Sequence, residues 1–302
     1  MAITPCRITR LFKYALLTFI TCLGYGGIGA FGFSQTPMNS PSAQKKSANT
    51  GRYFERVLII VLENQNYGDA IVDPYLNSLA KQGANLANFH AITHPSYPNY
   101  LAMITGKEIP TRWDRQVNLN ERTIADLLKS AGLTWKNYAE GYPGKCFTGS
   151  SSGLYARKHV PFMSFIPIQE HECENIVPAT RFAEDLKAEA LPNYMFYSPD
   201  IDNDGHDTGL SYSSNWLKGF LEPLRKNEIF MKGTLIVVTF DESRNDSSNH
   251  IYTVLLGDMI RPGEYNENYN HYSVLRTIED NFGLGILADG DGRAKPIMGV
   301  WK

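Results

Sequence analysis

Two stretches of the chain are apolar at almost every position. They are residues 57–62 (VLIIVL) and residues 234–240 (TLIVVTF). A strand without alternation between apolar and polar positions is typical of a parallel sheet that helices cover on both faces, because neither face of the strand meets water. The apolar run at 251–256 predicts a third strand of this kind.

Amphipathic segments between the apolar runs predict helices. Asp73 and Pro74 mark the start of a helix that ends by Gly83, and residues 121–131 form an amphipathic helix that ends at Gly132. The alternation of strands and helices predicts an α/β fold, a three-layer α/β/α sandwich with a mostly parallel sheet. The remaining predicted elements are helices at 98–104, 180–191, 213–227 and 271–283 and strands at 134–138 and 194–197.

Residues 141–178 do not follow this alternation. We therefore predict an insertion there, within a folded domain that covers 53–302, and expect the insertion to shape a pocket. Cys146 and Cys173 both lie in the insertion. In an oxidising compartment two cysteines most simply form one disulfide, and two buried free thiols are the alternative.

The first 33 residues have the composition of an export signal. Three basic residues and no acidic residue occur among the first 14, and an uncharged, mainly apolar run follows at 15–33. This pattern predicts a signal peptide over 1–33 and a secreted or periplasmic protein. The alternative is a membrane anchor at 15–33, because that run is about long enough to cross a bilayer. The polar residues 34–52, which include several Ser and Pro, predict a flexible linker.

Composition narrows the class of protein. Of the 302 residues, 43% are hydrophobic and 20% are charged, which excludes a disordered or fibrous chain. The formal net charge of −2 at pH 7 gives no reason to expect a nucleic-acid complex, since nucleic-acid binding proteins are typically basic. We expect contact with a membrane only through the signal or anchor segment, and the sequence leaves the oligomeric state open.

Acidic residues stand where the predicted strands end. Glu63 and Asn64 follow the first apolar strand, Asp241 and Glu242 follow the second, and an acidic cluster with one histidine occupies 200–207. The carboxyl ends of parallel strands meet at one edge of the sheet, where α/β proteins bind their ligands. Carboxylates crowded together repel one another unless a cation is present, so we predict a site for one or two divalent metal ions. Any one of these groups alone is equally compatible with a structural role, such as a helix cap. The candidate metal ligands are Glu63, Asn64, Asp202, Asp204, His206, Asp241, Glu242 and His271.

A candidate nucleophile, Ser96, stands just before an apolar helical segment. The unpaired N–H groups and the dipole at a helix start favour an anion such as phosphate, and a nearby metal ion would lower the pKa of the serine hydroxyl. A helix cap is the other common role of serine at this position, and the motif alone does not decide between the two. His94 and His159 are candidates for substrate contact, and His159, His206 and His271 are candidates for proton transfer to the leaving group.

Six short motifs follow one another along the chain. They are 63–67 (ENQNY), 94–100 (HPSYPNY) with 105–106 (TG), 158–162 (KHVPF), 203–207 (NDGHD), 239–243 (TFDES) and 269–273 (YNHYS). Together they resemble the metal-dependent phosphoesterase family that contains bacterial and fungal acid phosphatases and phospholipase C-type enzymes, within the alkaline phosphatase superfamily. The resemblance covers about residues 57–284 and implies an alkaline-phosphatase-like α/β/α fold and hydrolysis of phosphate esters.

The resemblance also implies roles for individual residues. Ser96 is the implied nucleophile. Residues 96–99 (SYPN) are similar to the Thr-x-Pro-Asn nucleophile turn of nucleotide pyrophosphatase relatives, which adds Asn99 to the candidate substrate-binding residues. The implied metal ligands are Glu63, Asn64, Asp241 and Glu242.

Two features depart from the usual pattern of the superfamily. Relatives usually have aspartate in place of Glu63 and histidine in place of Glu242, so the site in this chain is richer in oxygen. Oxygen ligands favour harder ions such as magnesium, manganese or calcium over zinc, and the identity of the ion among these four stays open. The Asp-x-x-x-His spacing of the superfamily is met by Asp202 and His206, whereas the motif of the nearer family points to Asp204.

These observations lead to three hypotheses. The first is an exported metal-dependent phosphatase of the acid phosphatase type, which hydrolyses small-molecule or lipid phosphate monoesters through a phosphoserine at Ser96. The second is a phosphodiesterase or phospholipase C that uses the same site. The third is a secreted protein that binds calcium or phosphate without turnover, and it gives no purpose to a serine at the start of the helix.

Overall fold

The computed structural model describes residues 51–302, and a sheet of eight strands runs through this part of the chain. The predicted signal peptide or anchor, 1–33, and nearly all of the predicted linker, 34–52, lie outside the described residues. The strands are β1 (Arg56–Leu62), β2 (Ala84–Leu86), β3 (Phe89–His90), β4 (Trp135–Ala139), β5 (Ser151–Ser152), β6 (Tyr155–Ala156), β7 (Ile176–Pro178), β8 (Tyr194–Ser198), β9 (Thr234–Phe240), β10 (Thr253–Leu256), β11 (Gly263–Tyr265) and β12 (Tyr269–Asn270). The helices are α1 (Tyr67–Val72), α2 (Pro74–Gln82), α3 (Ser96–Thr105), α4 (Ile124–Ser130), α5 (Ile166–His171), α6 (Thr180–Lys187), α7 (Leu210–Arg225), α8 (Glu228–Met231), α9 (His271–Phe282) and α10 (Asp289–Arg293).

The order of the sheet explains why β1 and β9 are apolar throughout. From one edge to the other the strands are β11, β2, β10, β9, β1, β8, β4 and β7. β1 and β9 therefore lie side by side in the middle, and they pair in parallel along their whole length. All seven residues of β9 are buried. Within this sheet only β10 runs antiparallel to its neighbours, so the predicted mostly parallel sheet is confirmed.

Helices cover both faces of the sheet. Phe196 and Tyr197 are consecutive residues of β8, so their side chains point to opposite faces. The ring of Phe196 lies 6.4 Å from that of Tyr100 in α3. The ring of Tyr197 lies 4.4 Å from that of Phe220 in α7, on the other side. α3 also packs against α9, and α7 against α2. The predicted three-layer α/β/α sandwich is thus confirmed.

The irregular stretch at 141–178 contains a disulfide. Cys146 and Cys173 are bonded, with their Cα atoms 5.3 Å apart, which agrees with the first of the two alternatives for these cysteines. The stretch also contributes to the sheet, because its last residues form β7, the edge strand that pairs in parallel with β4. A short 3₁₀ turn at Arg157–His159 lies in its middle.

α3 begins two residues earlier than the helix predicted at 98–104. Its first residue is Ser96, all ten of its residues are buried, and it ends at Gly106, whose φ of 70° is typical of a glycine cap. Ser96 therefore belongs to the first turn of the helix. Within residues 51–302, no helix has both the length and the apolar character needed to cross a bilayer.

Candidate active site

The two central strands bring four polar side chains to one place at the edge of the sheet. Glu63 and Asn64 directly follow β1, and Asp241 and Glu242 directly follow β9. The backbone N–H of Asp241 donates to the carbonyl of Leu62 (2.9 Å), which extends the contact between the strands by one residue. Glu63 and Asp241 are fully buried, and Glu242 is nearly so. The parallel pairing of β1 with β9 therefore sets these side chains next to each other.

Asn64 turns the chain sharply after β1. Its φ is 45°, in the left-handed region that asparagine tolerates better than most residues. In this conformation its backbone N–H donates to Oδ1 of Asp241 (3.0 Å), and its side-chain Oδ1 lies 3.3 Å from Oγ of Ser96. Through this turn Asn64 contacts both Asp241, which follows β9, and Ser96, the first residue of α3.

Ser96 is surrounded by acceptor oxygens. Its side chain is buried, and Oγ lies 3.0 Å from Oε1 of Glu242 and 3.1 Å from Oε2 of Glu63. A hydroxyl has one hydrogen to donate, so Ser96 can donate to only one of these carboxylates at a time. The hydroxyl is therefore directed at the acidic edge of the sheet, and either carboxylate is in place to accept its proton.

Glu63 also belongs to a second group of buried side chains, which contains His159, Asp204 and Tyr100. Nε2 of His159 lies 3.1 Å from Oε1 of Glu63, and Nδ1 lies 2.9 Å from Oδ2 of Asp204, although neither contact is aligned as a hydrogen bond. Tyr100, one helical turn after Ser96, donates its hydroxyl to the same oxygen of Glu63 (2.7 Å). One ligand atom each of Glu63, His159 and Asp204 lies within 4.8 Å of the others, a spacing that could hold a metal ion.

Burial and neighbouring charges shift the pKa values at this edge. Burial, followed by the negative charges of Glu63 and Glu242, raises the pKa of Asp241 well above its usual value. Burial also raises the pKa of Glu242 and that of Asp204. Burial acts in the same direction on Glu63, but positively charged neighbours, His159 first, outweigh it and lower the pKa to about 2. A bound cation would favour the charged form of every one of these acids, so the shifts fit a metal site.

Buried atoms without hydrogen-bond partners mark the same place. Within residues 51–302, Oδ2 of Asp241, Oδ2 of Asp204 and both ring nitrogens of His159 are buried and make no hydrogen bond. Buried polar atoms are nearly always satisfied, so unsatisfied ones that converge are expected where a ligand binds. The residues present therefore fit one or two divalent ions. The oxygen-rich group around Ser96 suits magnesium, manganese or calcium, and the imidazole of His159 also suits zinc.

His94 lies beside the nucleophile. Its Nδ1 is 2.5 Å from Oε2 of Glu242, the carboxylate whose other oxygen faces Ser96. The side chain of His94 is 47% exposed, so a substrate can reach it.

Asn99 holds the loop that precedes Ser96. Its side-chain Oδ1 accepts from the backbone N–H groups of Ile92 (2.9 Å) and Thr93 (3.1 Å). Its Nδ2 donates to the carbonyls of Thr93 (2.8 Å) and Pro95 (3.3 Å). These four contacts use the full hydrogen-bonding capacity of the amide, so in this structure Asn99 ties residues 92–95 to the first turn of α3.

The acidic cluster at 200–207 divides between buried and accessible residues. Asp204 is buried against His159. Asp202 is half-buried and belongs neither to the residues around Ser96 nor to the group formed by Glu63, His159 and Asp204. His206 is 38% exposed, and its Nδ1 lies 2.6 Å from Oδ1 of Asp207. The structure thus brings Asp204 to Glu63 and His159 in the candidate metal site, and it leaves His206 accessible with its ring 6.3 Å from that of His159.

His271 contacts the backbone of a candidate ligand. It is buried at the first position of α9, and its Nε2 lies 2.7 Å from the carbonyl oxygen of Asp241. Burial lowers the pKa of His271 to about 4, so the ring is neutral at ordinary pH and donates to that carbonyl. Through this contact the ring supports the segment that carries Asp241.

Two contributions were missed by the sequence reasoning. It gave Tyr100 no role, and it counted His159 only as a substrate or proton-transfer residue. Tyr100 stands four positions after Ser96, and the helical period places both on one face, so the spacing could have pointed to it. No such local signal exists for His159, because a residue of an irregular insertion has no period that fixes its direction.

The sequence is similar to those of proteins named as phosphatases. The profile of the Phosphoesterase family matches residues 66–285. The chain is 38% identical over 261 residues to a probable acid phosphatase of Kluyveromyces lactis, a match that covers 81% of this chain and 62% of that protein. It is 37% identical over 255 residues to a phosphate-repressible acid phosphatase of Penicillium chrysogenum, with 80% and 62% covered. It is 36% identical over 258 residues to a phosphatidylinositol-3-phosphatase of Mycobacterium tuberculosis, with 82% and 83% covered. The chain thus spans less than two thirds of the length of the two fungal relatives.

The fold is similar to solved structures of low sequence identity. A protein of the alkaline phosphatase superfamily from Vibrio parahaemolyticus matches with a TM-score of 0.62 at 15% identity, covering 83% of this chain and 72% of that one. The phosphonate monoester hydrolase SpPMH from Silicibacter pomeroyi matches with a TM-score of 0.53 at 13% identity, covering 82% and 78%. The predicted alkaline-phosphatase-like fold and the predicted family resemblance are both confirmed.

Proposed function

The chain belongs to the Phosphoesterase family, and on that premise we propose that it is an enzyme that hydrolyses phosphate monoesters with Ser96 as the nucleophile. The observation that carries the proposal is the position of the Ser96 hydroxyl, which lies 3.0 Å from Glu242 and 3.1 Å from Glu63. A serine whose hydroxyl meets two carboxylates has a proton acceptor in place, which is the first requirement of a nucleophilic serine. The names of the relatives, acid phosphatase and phosphatidylinositol-3-phosphatase, support this class of reaction.

The acidic residues around Ser96 have two tasks in this proposal. Glu63, Asn64, Asp241 and Glu242 would hold a divalent cation, and His159 with Asp204 would join Glu63 in holding a second. When bound, such ions stabilise the negative charge that develops on the phosphoryl oxygens. The second task is proton transfer, because Glu242 is the carboxylate nearest to the Ser96 hydroxyl.

The reaction proceeds in two displacements. In the first, the proton of Ser96 moves to Glu242 while Oγ bonds to phosphorus and the bond from phosphorus to the ester oxygen breaks, which leaves a phosphoserine. In the second, a water oxygen bonds to phosphorus, the bond to Oγ breaks, and Oγ recovers its proton from Glu242. The start of α3 lies at the site of attack, where the helix dipole favours the phosphoryl group.

The departing alcohol needs a proton, and His206 is the proposed donor. The sequence offers three histidines as candidate proton donors. His159 is buried between two carboxylates, and the ring of His271 is hydrogen-bonded to the backbone carbonyl of Asp241. His206 is 38% exposed and its ring lies 6.3 Å from that of His159, so a departing alcohol can reach it. It recovers its proton from the water that hydrolyses the phosphoserine.

Phosphate release from an aryl monoester tests the proposal. We expect the purified protein to release phosphate in the presence of magnesium, manganese, calcium or zinc, and a chelator to stop the reaction until metal is restored. Ser96→Ala should remove the activity and also the acid-stable phosphoserine that a rapid acid quench detects. Full activity of Ser96→Ala would reject the mechanism. Faster hydrolysis of diesters would favour the phosphodiesterase or phospholipase C alternative, and metal binding without turnover of either ester would favour a binding protein.

We also propose that the protein is exported. The disulfide between Cys146 and Cys173 supports this, because disulfides persist in oxidising compartments. N-terminal sequencing of protein recovered from the periplasm or the medium tests it. We expect the recovered protein to lack the N-terminal signal within residues 1–33, whereas a product that keeps residues 15–33 and fractionates with membranes would indicate the anchor.

A further inference from the structure

A small cavity adjoins the first turn of α3, the helix that begins at Ser96. It has a volume of about 190 Å³, and the insertion at 141–178 forms part of its wall. Its lining residues include Tyr97, Asp114, Gln116, Ser150, Arg157 and Lys158. Tyr97 directly follows Ser96 in the first turn of α3, so the cavity adjoins the start of the helix that carries the proposed nucleophile.

An ion pair in this cavity is attached to the first turn of α3. Nζ of Lys158 lies 3.2 Å from Oδ2 of Asp114, and both side chains are 21% exposed. The other oxygen of Asp114 accepts the backbone N–H of Tyr97 (3.0 Å). Asp114 therefore fixes Lys158 relative to the helix that carries Ser96, while part of the Lys158 side chain stays exposed.

Positive charge exceeds negative charge in the lining. Arg157 is buried, and its guanidinium donates to three backbone carbonyls and to the side chain of Asn118. Within residues 51–302 no carboxylate pairs with it, and its Nε has no hydrogen-bond partner. The lining thus contains two cationic side chains and a single carboxylate, Asp114, so the cavity favours an anion.

The charge of Lys158 also acts on the acidic edge of the sheet. It interacts electrostatically with both Glu63 and Asp241, two of the candidate metal ligands. A cation held close to these acids is in a position to pair with a negatively charged group of the substrate.

We propose that Lys158, positioned by Asp114, selects phosphate monoesters over diesters, because its ammonium group pairs with the second negative charge that only a monoester carries. This inference rests on the proposed function and assigns the substrate class to particular residues. A phosphate monoester carries about 1.5 to 2 negative charges at pH 7, since its second pKa is about 6. A diester has no second ionisable oxygen and carries one charge.

The test compares two esters with the same leaving group at pH 7. For Lys158→Gln we expect kcat/KM on 4-nitrophenyl phosphate to fall about 10- to 100-fold, as loss of a charge-assisted contact predicts. On bis(4-nitrophenyl) phosphate we expect a change of less than about threefold, because the charge that Lys158 recognises is absent from the diester. Lys158→Arg keeps the positive charge and should keep most of the preference. Lys107→Gln, which removes an exposed lysine paired with Glu121, should leave both rates unchanged.

Asp114→Asn provides the second variant. An asparagine can still accept the Tyr97 N–H but no longer pairs with the ammonium group, so the monoester preference should fall while the unfolding temperature changes little. An unchanged monoester-to-diester ratio in folded Lys158→Gln, or an equal loss on both esters, would overturn the inference. Should Lys158→Gln fail to fold, Asp114→Asn decides instead, and an unchanged monoester-to-diester ratio in that variant would overturn the inference. A wild-type protein inactive on both esters would instead contradict the proposed function, and this inference with it.

Discussion

The hydroxyl oxygen of Ser96 lies 3.0 Å from Oε1 of Glu242, a residue 146 positions further along the chain. The two meet because α3 begins beside the end of β9. The second oxygen of Glu242 contacts His94, which stands two residues before Ser96. One carboxylate at the end of β9 therefore contacts both the proposed nucleophile and the loop that leads to it.

Replacement of Asp241 should separate metal binding from stability. At pH 7 the pKa of Asp241, raised by burial and neighbouring carboxylates, makes the ionised side chain costly to bury in the absence of a cation. We expect metal-free Asp241→Asn to unfold at the same temperature as the wild type or higher. With metal ions present the wild type should gain stability and the variant much less, and the activity of the variant should fall by about 100-fold or more.

Thermal unfolding and metal analysis of the same samples check this prediction. Asp280→Asn, which changes an aspartate that is 41% exposed, is the control and should match the wild type. A variant that binds as much metal as the wild type and gains the same stability from it would exclude Asp241 as a ligand.

His206→Asn should reveal the proton donor through its dependence on the leaving group. A nitrophenolate is a good leaving group and departs without a proton, whereas an alkoxide must be protonated as it departs. We therefore expect a loss of about 100-fold or more on an alkyl phosphate such as glycerol phosphate, and a much smaller loss on 4-nitrophenyl phosphate. His171→Asn changes a histidine that is 71% exposed and serves as the control. Equal losses on both substrates would mean that His206 does not protonate the leaving group.

Asn99→Ala distinguishes a positioning residue from a substrate contact. The variant loses four contacts that hold residues 92–95, so the free energy of unfolding should fall by about 2 kcal/mol or more. We expect kcat to fall because Ser96 is no longer held, with a smaller change in KM. Urea unfolding and steady-state kinetics measure both. A raised KM with unchanged kcat and stability would instead support the substrate contact that the sequence motif suggested.

Glu279 should make the fold more stable at acidic pH. It is buried in α9, and within residues 51–302 neither of its carboxyl oxygens has a hydrogen-bond partner. Burial, followed by the charge of Asp291, raises its pKa from 4.5 to about 9. Between these two values the unfolded chain loses the proton that the folded protein keeps, so this contribution to stability decreases as the pH rises from about 4.5 to about 9.

Urea unfolding at pH 5, 7 and 9 tests this dependence. Glu279→Gln cannot titrate, so its stability relative to the wild type should increase steadily across that range. Glu121→Gln, at a surface position that is 45% exposed, should show no such trend. A constant difference between Glu279→Gln and the wild type at all three pH values would contradict the prediction.

The pattern of apolar residues along the chain was enough to predict the two central strands of the sheet. The apolar run at 234–240 matches β9 residue for residue, and the run at 57–62 matches β1 to within one residue. Apolar runs of this kind report burial on both faces and carry no information on direction. The antiparallel course of β10 therefore had to come from the structure, because it depends on which partner strand is available.

The candidate site was only partly predictable. Strand ends identified Glu63 and Asp241, since a parallel sheet gathers its carboxyl ends at one edge. Spacing could not choose between Asp202 and Asp204, because both stand in one irregular turn. The structure brings Asp204 to His159 by burying it, and it leaves Asp202 half-buried.

The sequence by itself determined the α/β class, the acidic strand ends and the serine at a helix start, because these follow from periodicity and from neighbours along the chain. Only the tertiary structure decided that His159 reaches Glu63, that Asn99 holds its own loop, and that Asp114 pairs with Lys158. The physical reason is that these contacts join segments 44 to 96 residues apart, or depend on a loop without a repeating period. The direction of such a side chain is set by what packs around it.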